Sequence, residues 1–100
     1  MFHTINKSPF ERNSLDTCLR LSKKGSAILL FEDGVYAALK GTQVSAKVEG
    51  AVGEHPIFVL GPDLKARGLS EDHVIEGVSV VDYGGFVDLA AEHGAVNAWL

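Results

Sequence analysis

The chain has 100 residues, of which 46% are hydrophobic and 22% are charged, and its formal net charge is −4. This length predicts a single domain over residues 1–100, and the apolar content excludes a disordered chain. Lys23 and Lys24 form the only basic doublet, so the sequence predicts no direct contact with nucleic acid, which requires clustered cations.

Four short apolar runs predict strands, at residues 2–5, 27–31, 56–60 and 78–82. Helices are expected at residues 33–39, 63–67 and 85–93, and residues 44–52 fit either a helix or a strand. The apolar runs show little polar alternation, which is typical of strands covered on both faces of a parallel sheet. The alternation of strands and helices therefore predicts an α/β fold with a mostly parallel sheet and right-handed crossovers.

Two helix starts compete after the first strand. Residues 8–11 fit a capping box with proline at the first helical position. We favour the later start, at residues 13–16, for the main helix, because Leu15, Cys18 and Leu19 then form an i, i+3, i+4 apolar stripe.

The chain has one cysteine, Cys18, which excludes a disulfide within the chain and a disulfide framework of the secreted kind. The first residues lack the apolar run of a signal peptide. No apolar stretch approaches the roughly 20 residues that a membrane-spanning helix needs. We therefore expect a soluble protein of the cytoplasm that has no membrane contact.

Cys18 itself has two interpretations. In the first it is a nucleophile that accepts and passes on sulfur as a persulfide, which requires an accessible thiolate. Partial exposure is then expected, with a cation such as Arg20, Lys23 or a residue of a partner lowering the pKa of the thiol. In the second, Cys18 is a small apolar core residue between Leu15 and Leu19. The residues alone favour the core interpretation.

Three aspartates, Asp33, Asp63 and Asp82, follow predicted strands, where ligands of open α/β sheets bind. Clustered carboxylates there would hold Mg²⁺, but Asp33 and Asp63 each precede a predicted helix, which favours N-capping instead. No glycine-rich phosphate loop is present. The four histidines lack zinc-ligand spacing; they are His3, His55, His73 and His93. The sequence predicts neither a metal nor a cofactor.

The chain ends on Trp99 and Leu100. Chain ends fray unless they are tied down, and tryptophan is enriched at protein interfaces. We favour an interface role for both residues over packing on their own core. Removing residues 98–100 is then expected to disrupt assembly more than folding.

Several segments resemble the DsrH/TusB family. Residues 2–9, FHTINKSP, resemble its (L/F)HTxxxSP opening, and residues 30–39, LFEDGVYAAL, resemble its LxxDGxxAAL segment. Residues 59–68, VLGPDLKARG, and residues 81–87, VDYGGFV, are similar to its later blocks. Residues 98–100, AWL, are similar to its ending. The segments occur in the family's order, so the resemblance extends over the whole chain.

The resemblance implies a three-layer α/β/α fold of the DsrEFH type, with a parallel sheet of four to five strands between helix layers. It also implies a heterohexamer with two copies each of three related subunits. The expected partners are DsrE/TusD-like and DsrF/TusC-like subunits and a sulfur-carrier protein of the DsrC/TusE type. These complexes relay sulfane sulfur through cysteine persulfides, and the main sulfur-carrying cysteine is generally that of the DsrE/TusD-type partner.

The family has two branches. One supplies sulfur for 2-thiolation of wobble uridine in tRNA, and the other serves dissimilatory sulfur oxidation. Residues 14–19, SLDTCL, resemble the DsrH-type sequences of sulfur oxidisers with the cysteine included, whereas enterobacterial TusB-like chains can lack that cysteine. The resemblance favours the sulfur-oxidation branch and makes Cys18 a candidate persulfide carrier. A TusB-type subunit and a purely structural subunit remain the alternatives.

Overall fold

The structure, a computed structural model, describes residues 1–100. Its five strands are β1 (Phe2–Ile5), β2 (Ala27–Leu30), β3 (Ile57–Leu60), β4 (Ser79–Val81) and β5 (Val96–Trp99). Its main helices are α1 (Ser14–Leu21), α2 (Ser45–Ala51), α3 (Gly61–Ala66) and α4 (Tyr83–His93), and 3₁₀ helices span Glu32–Ala38 and Glu71–His73. None of these helices is long and apolar enough to cross a membrane.

The strands form one sheet in the order β4-β3-β2-β1-β5, and every neighbouring pair is parallel. The first three crossovers each place the next strand farther to one side of β1. The last crossover, through α4, returns the chain to the other side of β1. The predicted α/β fold with a parallel sheet is confirmed, and β1 lies between β2 and the last strand.

Helices cover both faces of the sheet, as successive strand residues point to opposite faces. On one face, Ile28 and Leu30 join a core of 15 buried residues that includes side chains of α1, α2 and α3. On the other face, Ala27 and Leu29 pack with Phe2 beneath α4. The resemblance-based prediction of a three-layer α/β/α fold is therefore confirmed.

The first part of the chain tests the two competing helix starts. The later start is confirmed, because α1 begins at Ser14. The capping box at residues 8–11 is wrong. Ser8 Oγ accepts a hydrogen bond from the Phe10 backbone N–H at 3.2 Å, and the segment forms a turn. A side chain that bonds its own backbone two residues on stabilises a turn as readily as a helix start.

Other boundaries differ from the prediction in informative ways. The ambiguous residues 44–52 are helical, as Ser45–Ala51, and the helix predicted at residues 33–39 is a 3₁₀ helix over Glu32–Ala38. The strand β5 was not located by the apolar pattern, because Val96, Asn97 and Ala98 are exposed at the edge of the sheet.

Gly34 brings the 3₁₀ helix Glu32–Ala38 directly against the end of β1. A Cβ atom at this position would overlap the backbone carbonyl of Ile5. Phe31 N–H donates to the same Ile5 carbonyl oxygen at 3.1 Å. Only a residue without a side chain permits this approach, so Gly34 fixes how the segment after β2 packs on β1.

Candidate functional site

Cys18 lies in the middle of α1 and is completely buried, with 0% of its surface exposed. It belongs to the larger core, together with Leu15, because the apolar stripe of α1 faces the sheet. Its Sγ lies 3.4 Å from Ser22 Oγ, one helical turn later. The structure therefore presents Cys18 as a core side chain with one polar neighbour.

Burial raises the pKa of the Cys18 thiol above its ordinary value, and the hydrogen bond with Ser22 opposes this only in part. The thiolate is the reactive form of cysteine, so the folded chain disfavours it. In the chain by itself, Cys18 shows neither the expected exposure nor a lowered thiol pKa, because the same apolar stripe that predicted α1 carries Cys18 into the core. The persulfide-carrying role of Cys18 stays a prediction.

The three aspartates have separate structural partners. Asp33 Oδ1 accepts from Arg67 in an ion pair of 2.9 Å, and Asp63 Oδ2 accepts from the Glu32 backbone N–H at 2.6 Å. Asp82 Oδ1 accepts from the Gly85 backbone N–H at 2.8 Å. No group of three or more His, Cys, Asp or Glu side chains that could hold a metal ion occurs in the chain.

The capping prediction is wrong for Asp33 and Asp63. The helices begin earlier, at Glu32 and Gly61, so both aspartates lie inside the first turn and neither side chain caps it. Asp82 does cap a helix, since it immediately precedes α4 and accepts from a first-turn N–H. Asp63 instead supports Glu32, whose φ of 48° is unusual for a residue with a side chain.

Arg67 is held by two parts of the chain. Its guanidinium donates to Asp33 Oδ1 and to the backbone carbonyl of Asp63. The hydrogen bond to Asp33 raises the pKa of Arg67 above its ordinary value, although burial opposes the rise. The Arg67 side chain therefore connects the end of α3 to the 3₁₀ helix Glu32–Ala38. Its role is to stabilise the packing of these two elements.

Trp99 and Leu100, the candidate interface residues, lie in different surroundings. Trp99 is half-buried against the larger core, and its indole Nε1–H donates to His3 Nδ1 at 3.0 Å. The Leu100 side chain is 81% exposed, while its carbonyl oxygen accepts from the Ser14 hydroxyl at 3.1 Å. Trp99 thus docks on its own chain. An interface role for either residue stays a prediction.

His3 is a buried histidine whose role the sequence did not predict. It is 3% exposed, and because an indole N–H can only donate, the bond from Trp99 makes Nδ1 an acceptor and places the proton on Nε2. Nε2 is buried and has no hydrogen-bond partner. Burial lowers the pKa of His3 below its ordinary value, and the Met1 amino group and His55 lower it further.

The all-parallel sheet between two helix layers places this chain among small three-layer α/β/α proteins. Sequence similarity identifies its family. The sequence model described as "DsrH like protein" matches residues 7–96. The chain belongs to the DsrH/TusB family.

Full-length relatives support this assignment. Protein TusB of Pectobacterium parmentieri is 38% identical over 99 residues, covering 99% of this chain and 100% of that protein. Protein TusB of Erwinia tasmaniensis is 43% identical over 101 residues, and protein TusB of Escherichia coli is 33% identical over 99 residues; both alignments cover 99% of this chain and 100% of the relative.

Solved structures share the fold. The ychN protein of Escherichia coli superposes with a TM-score of 0.82 over 97% of both chains at 19% identity. A protein from Methanobacterium thermoautotrophicum superposes with a TM-score of 0.74 at 20% identity, covering 97% of this chain and 96% of that one. At these identities the likeness extends to the fold alone.

Proposed function

We propose that this chain is a TusB-type subunit of a cytoplasmic sulfur-relay complex that supplies sulfur for 2-thiolation of wobble uridine in tRNA. The observation that carries the proposal is the full-length similarity to proteins named TusB, which reaches 43% identity. The presence of Cys18 in the sequence favours the sulfur-oxidation branch. The names of these relatives favour the other branch, and the sulfur-oxidation role stays a prediction.

Exposed apolar side chains support membership of an assembly. Tyr83 and Val87 lie four residues apart on one side of α4 and are 60% and 66% exposed. Val96 and Leu100, in and after β5, are also exposed. Exposed apolar side chains grouped on one side of a helix are typical of a surface that another protein covers. We expect DsrE/TusD-like and DsrF/TusC-like subunits as partners and a DsrC/TusE-type protein as the sulfur carrier.

Within the complex, we assign this chain a structural role. A persulfide carrier needs a thiol that a partner's sulfur atom can reach, and Cys18 is fully buried with a raised thiol pKa. The relay then runs on the cysteine of the DsrE/TusD-type partner. The opposite hypothesis, that Cys18 accepts sulfur, requires the assembled complex to expose a residue that this fold places in the core.

A genetic experiment tests the branch. In cells lacking the gene, we expect 2-thiouridine in tRNA to fall to background, and the wild-type gene to restore it. An unchanged amount of 2-thiouridine in tRNA of the deletion strain would contradict the role in tRNA thiolation. It would favour the role in sulfur oxidation. The Cys18→Ala gene should restore thiolation as well as the wild type does, with protein levels matched.

A biochemical experiment tests the role of Cys18 directly. The complex is purified with its partner subunits, loaded with sulfane sulfur, and each subunit is weighed by intact mass spectrometry. We expect added sulfur on the DsrE/TusD-type partner and none on this chain. One extra sulfur atom on this chain, lost in Cys18→Ala, would make it a working member of the relay.

A further inference from the structure

A cavity of about 480 Å³ lies between the carboxyl end of α1 and strands β1 and β5. Its volume falls in the range of small-molecule sites, about 300–1,000 Å³. Met1 and Ser26, which precede β1 and β2, line it, so it lies at the amino ends of these strands. The aspartates Asp33, Asp63 and Asp82 follow strands and lie at the opposite end of the sheet.

The polar lining of this cavity contains one cation and several groups that can donate hydrogen bonds. Lys23 contributes an ammonium group, Ser22 and Ser26 contribute hydroxyls, and Asn97 contributes an amide. Lys23 forms no ion pair with a carboxylate of the chain. The group that best complements these donors is an anion with acceptor oxygens.

The charge of this cavity differs from that of the other cavities. Each of the other four cavities has at least one aspartate or glutamate in its lining. This one has none, although the chain carries a net charge of −4. An anion entering it meets a positive charge with no lining carboxylate to repel it.

The remaining lining is apolar. Trp99 presents its ring system and Leu21, which is 63% exposed, presents its side chain. A flat apolar group packs well on an indole, and an exposed leucine gains by being covered. The cavity thus combines an apolar wall with a cluster of donors, which is the usual composition of a site for a small organic molecule.

We infer that this cavity binds a small aromatic carboxylate. The carboxylate group faces Lys23, Ser22 and Asn97, and the ring packs against Trp99 and Leu21. The inference does not depend on the sulfur-relay role, because it rests on residues other than Cys18 and on a different chemistry.

Titration of the full-length chain with 2-naphthoate tests the inference. Since Trp99 is the only tryptophan, its indole N–H resonance in a ¹⁵N spectrum reports on the cavity. We expect a saturable shift of this resonance with a Kd of about 0.1–1 mM, a range usual for a small unoptimised ligand. The neutral 2-naphthamide should bind about tenfold more weakly, because it lacks the charge that pairs with Lys23.

Two variants make the test specific. Lys23→Gln should weaken 2-naphthoate binding by about tenfold, while Lys24→Gln removes a neighbouring cation that does not line the cavity and should leave the affinity unchanged. The inference is overturned by a Trp99 resonance that does not move, by equal affinity for the amide, or by equal effects of the two lysine variants.

Discussion

The indole Nε1 of Trp99 lies 3.0 Å from Nδ1 of His3, although the two residues are 96 positions apart in the sequence. The pair joins β5 to β1 on the face of the sheet that α1 covers. It anchors the last strand and fixes the neutral tautomer of a buried histidine. A residue that the sequence assigned to an interface therefore has a role inside its own domain.

The first prediction separates the two terminal residues. Trp99→Ala should lower the free energy of unfolding by about 2–3 kcal/mol, because it removes a half-buried ring and leaves His3 Nδ1 unpaired. Leu100→Glu should leave the stability of the isolated chain unchanged within about 0.5 kcal/mol, since the side chain is exposed. Urea unfolding followed by circular dichroism measures both changes.

The Leu100→Glu variant also tests the assembly. If Leu100 contacts a partner, Leu100→Glu should reduce the yield of complex in size-exclusion chromatography with partner subunits, despite normal folding. Full assembly of Leu100→Glu would contradict the interface role of this residue. Deletion of residues 98–100 cannot separate these effects, because Ala98 and Trp99 belong to β5.

The second prediction concerns the pH dependence of stability that His3 produces. The pKa of His3 in the folded chain lies below the ordinary value of 6.5, so the unfolded chain binds more protons below that pH. The stability that neutral His3 contributes is therefore complete above pH 6.5 and is lost as the pH falls through the folded pKa. Protonation of Nδ1 also removes the acceptor for the Trp99 indole.

Urea midpoints measured from about pH 8 to about pH 5 check this prediction. The wild type should lose stability across the acid part of this range, and His3→Gln should lose less. Parallel declines in the wild type and His3→Gln would show that His3 is not responsible.

The third prediction concerns thiol chemistry. Because Cys18 is buried and its pKa is raised, it should react with a disulfide reagent at least about a hundredfold more slowly in the folded chain than in urea. Cys18→Ala should cost about 1 kcal/mol of stability through lost packing. Rapid labelling of the native chain at the rate of a free thiol would contradict the core role.

The fourth prediction uses two glycines. Gly34→Ala should destabilise the chain by about 3 kcal/mol, because its Cβ would overlap the Ile5 carbonyl and the backbone cannot yield without separating the 3₁₀ helix from β1. Gly50→Ala is the control, because no atom lies within 4 Å of its added Cβ in helix α2. That variant should gain about 0.5–1 kcal/mol. Thermal unfolding measures both, and equal effects would contradict this account of Gly34.

The apolar pattern predicted the architecture because the buried strands differ sharply from their surroundings. The residues of β1 and β2 are all buried. The continuous apolar sequence AILL identifies β2, whereas β1, with the sequence FHTI, gives a weaker signal because His3 and Thr4 are polar. The edge strand β5 escaped detection because its first three residues are exposed and need no apolar side chains. Helix starts were less certain, since a polar residue such as Ser8 or Asp63 stabilises a turn or a distant backbone N–H as well as a cap.

The site was harder to predict than the fold. A helical stripe indicates which side of α1 is apolar, and it placed Cys18 on that side, but the family resemblance drew attention to its chemistry. The pairing of His3 with Trp99 has no local signal, because it depends on which strands become neighbours. Residues this far apart meet only through the crossover of α4, which the order of predicted elements does not specify.

The position of β1 has a consequence for the timing of folding on the ribosome. Strand β1 pairs along one side with β2, which follows it closely, and along the other side with residues 96–99. That second pairing must wait for nearly the whole chain, so a nascent chain keeps one edge of β1 open until the end. Contacts so distant in sequence slow folding and leave an unpaired strand edge available to other chains. Shortened translation products of this gene are therefore expected to aggregate or to require chaperones, while the full-length chain covers that edge itself.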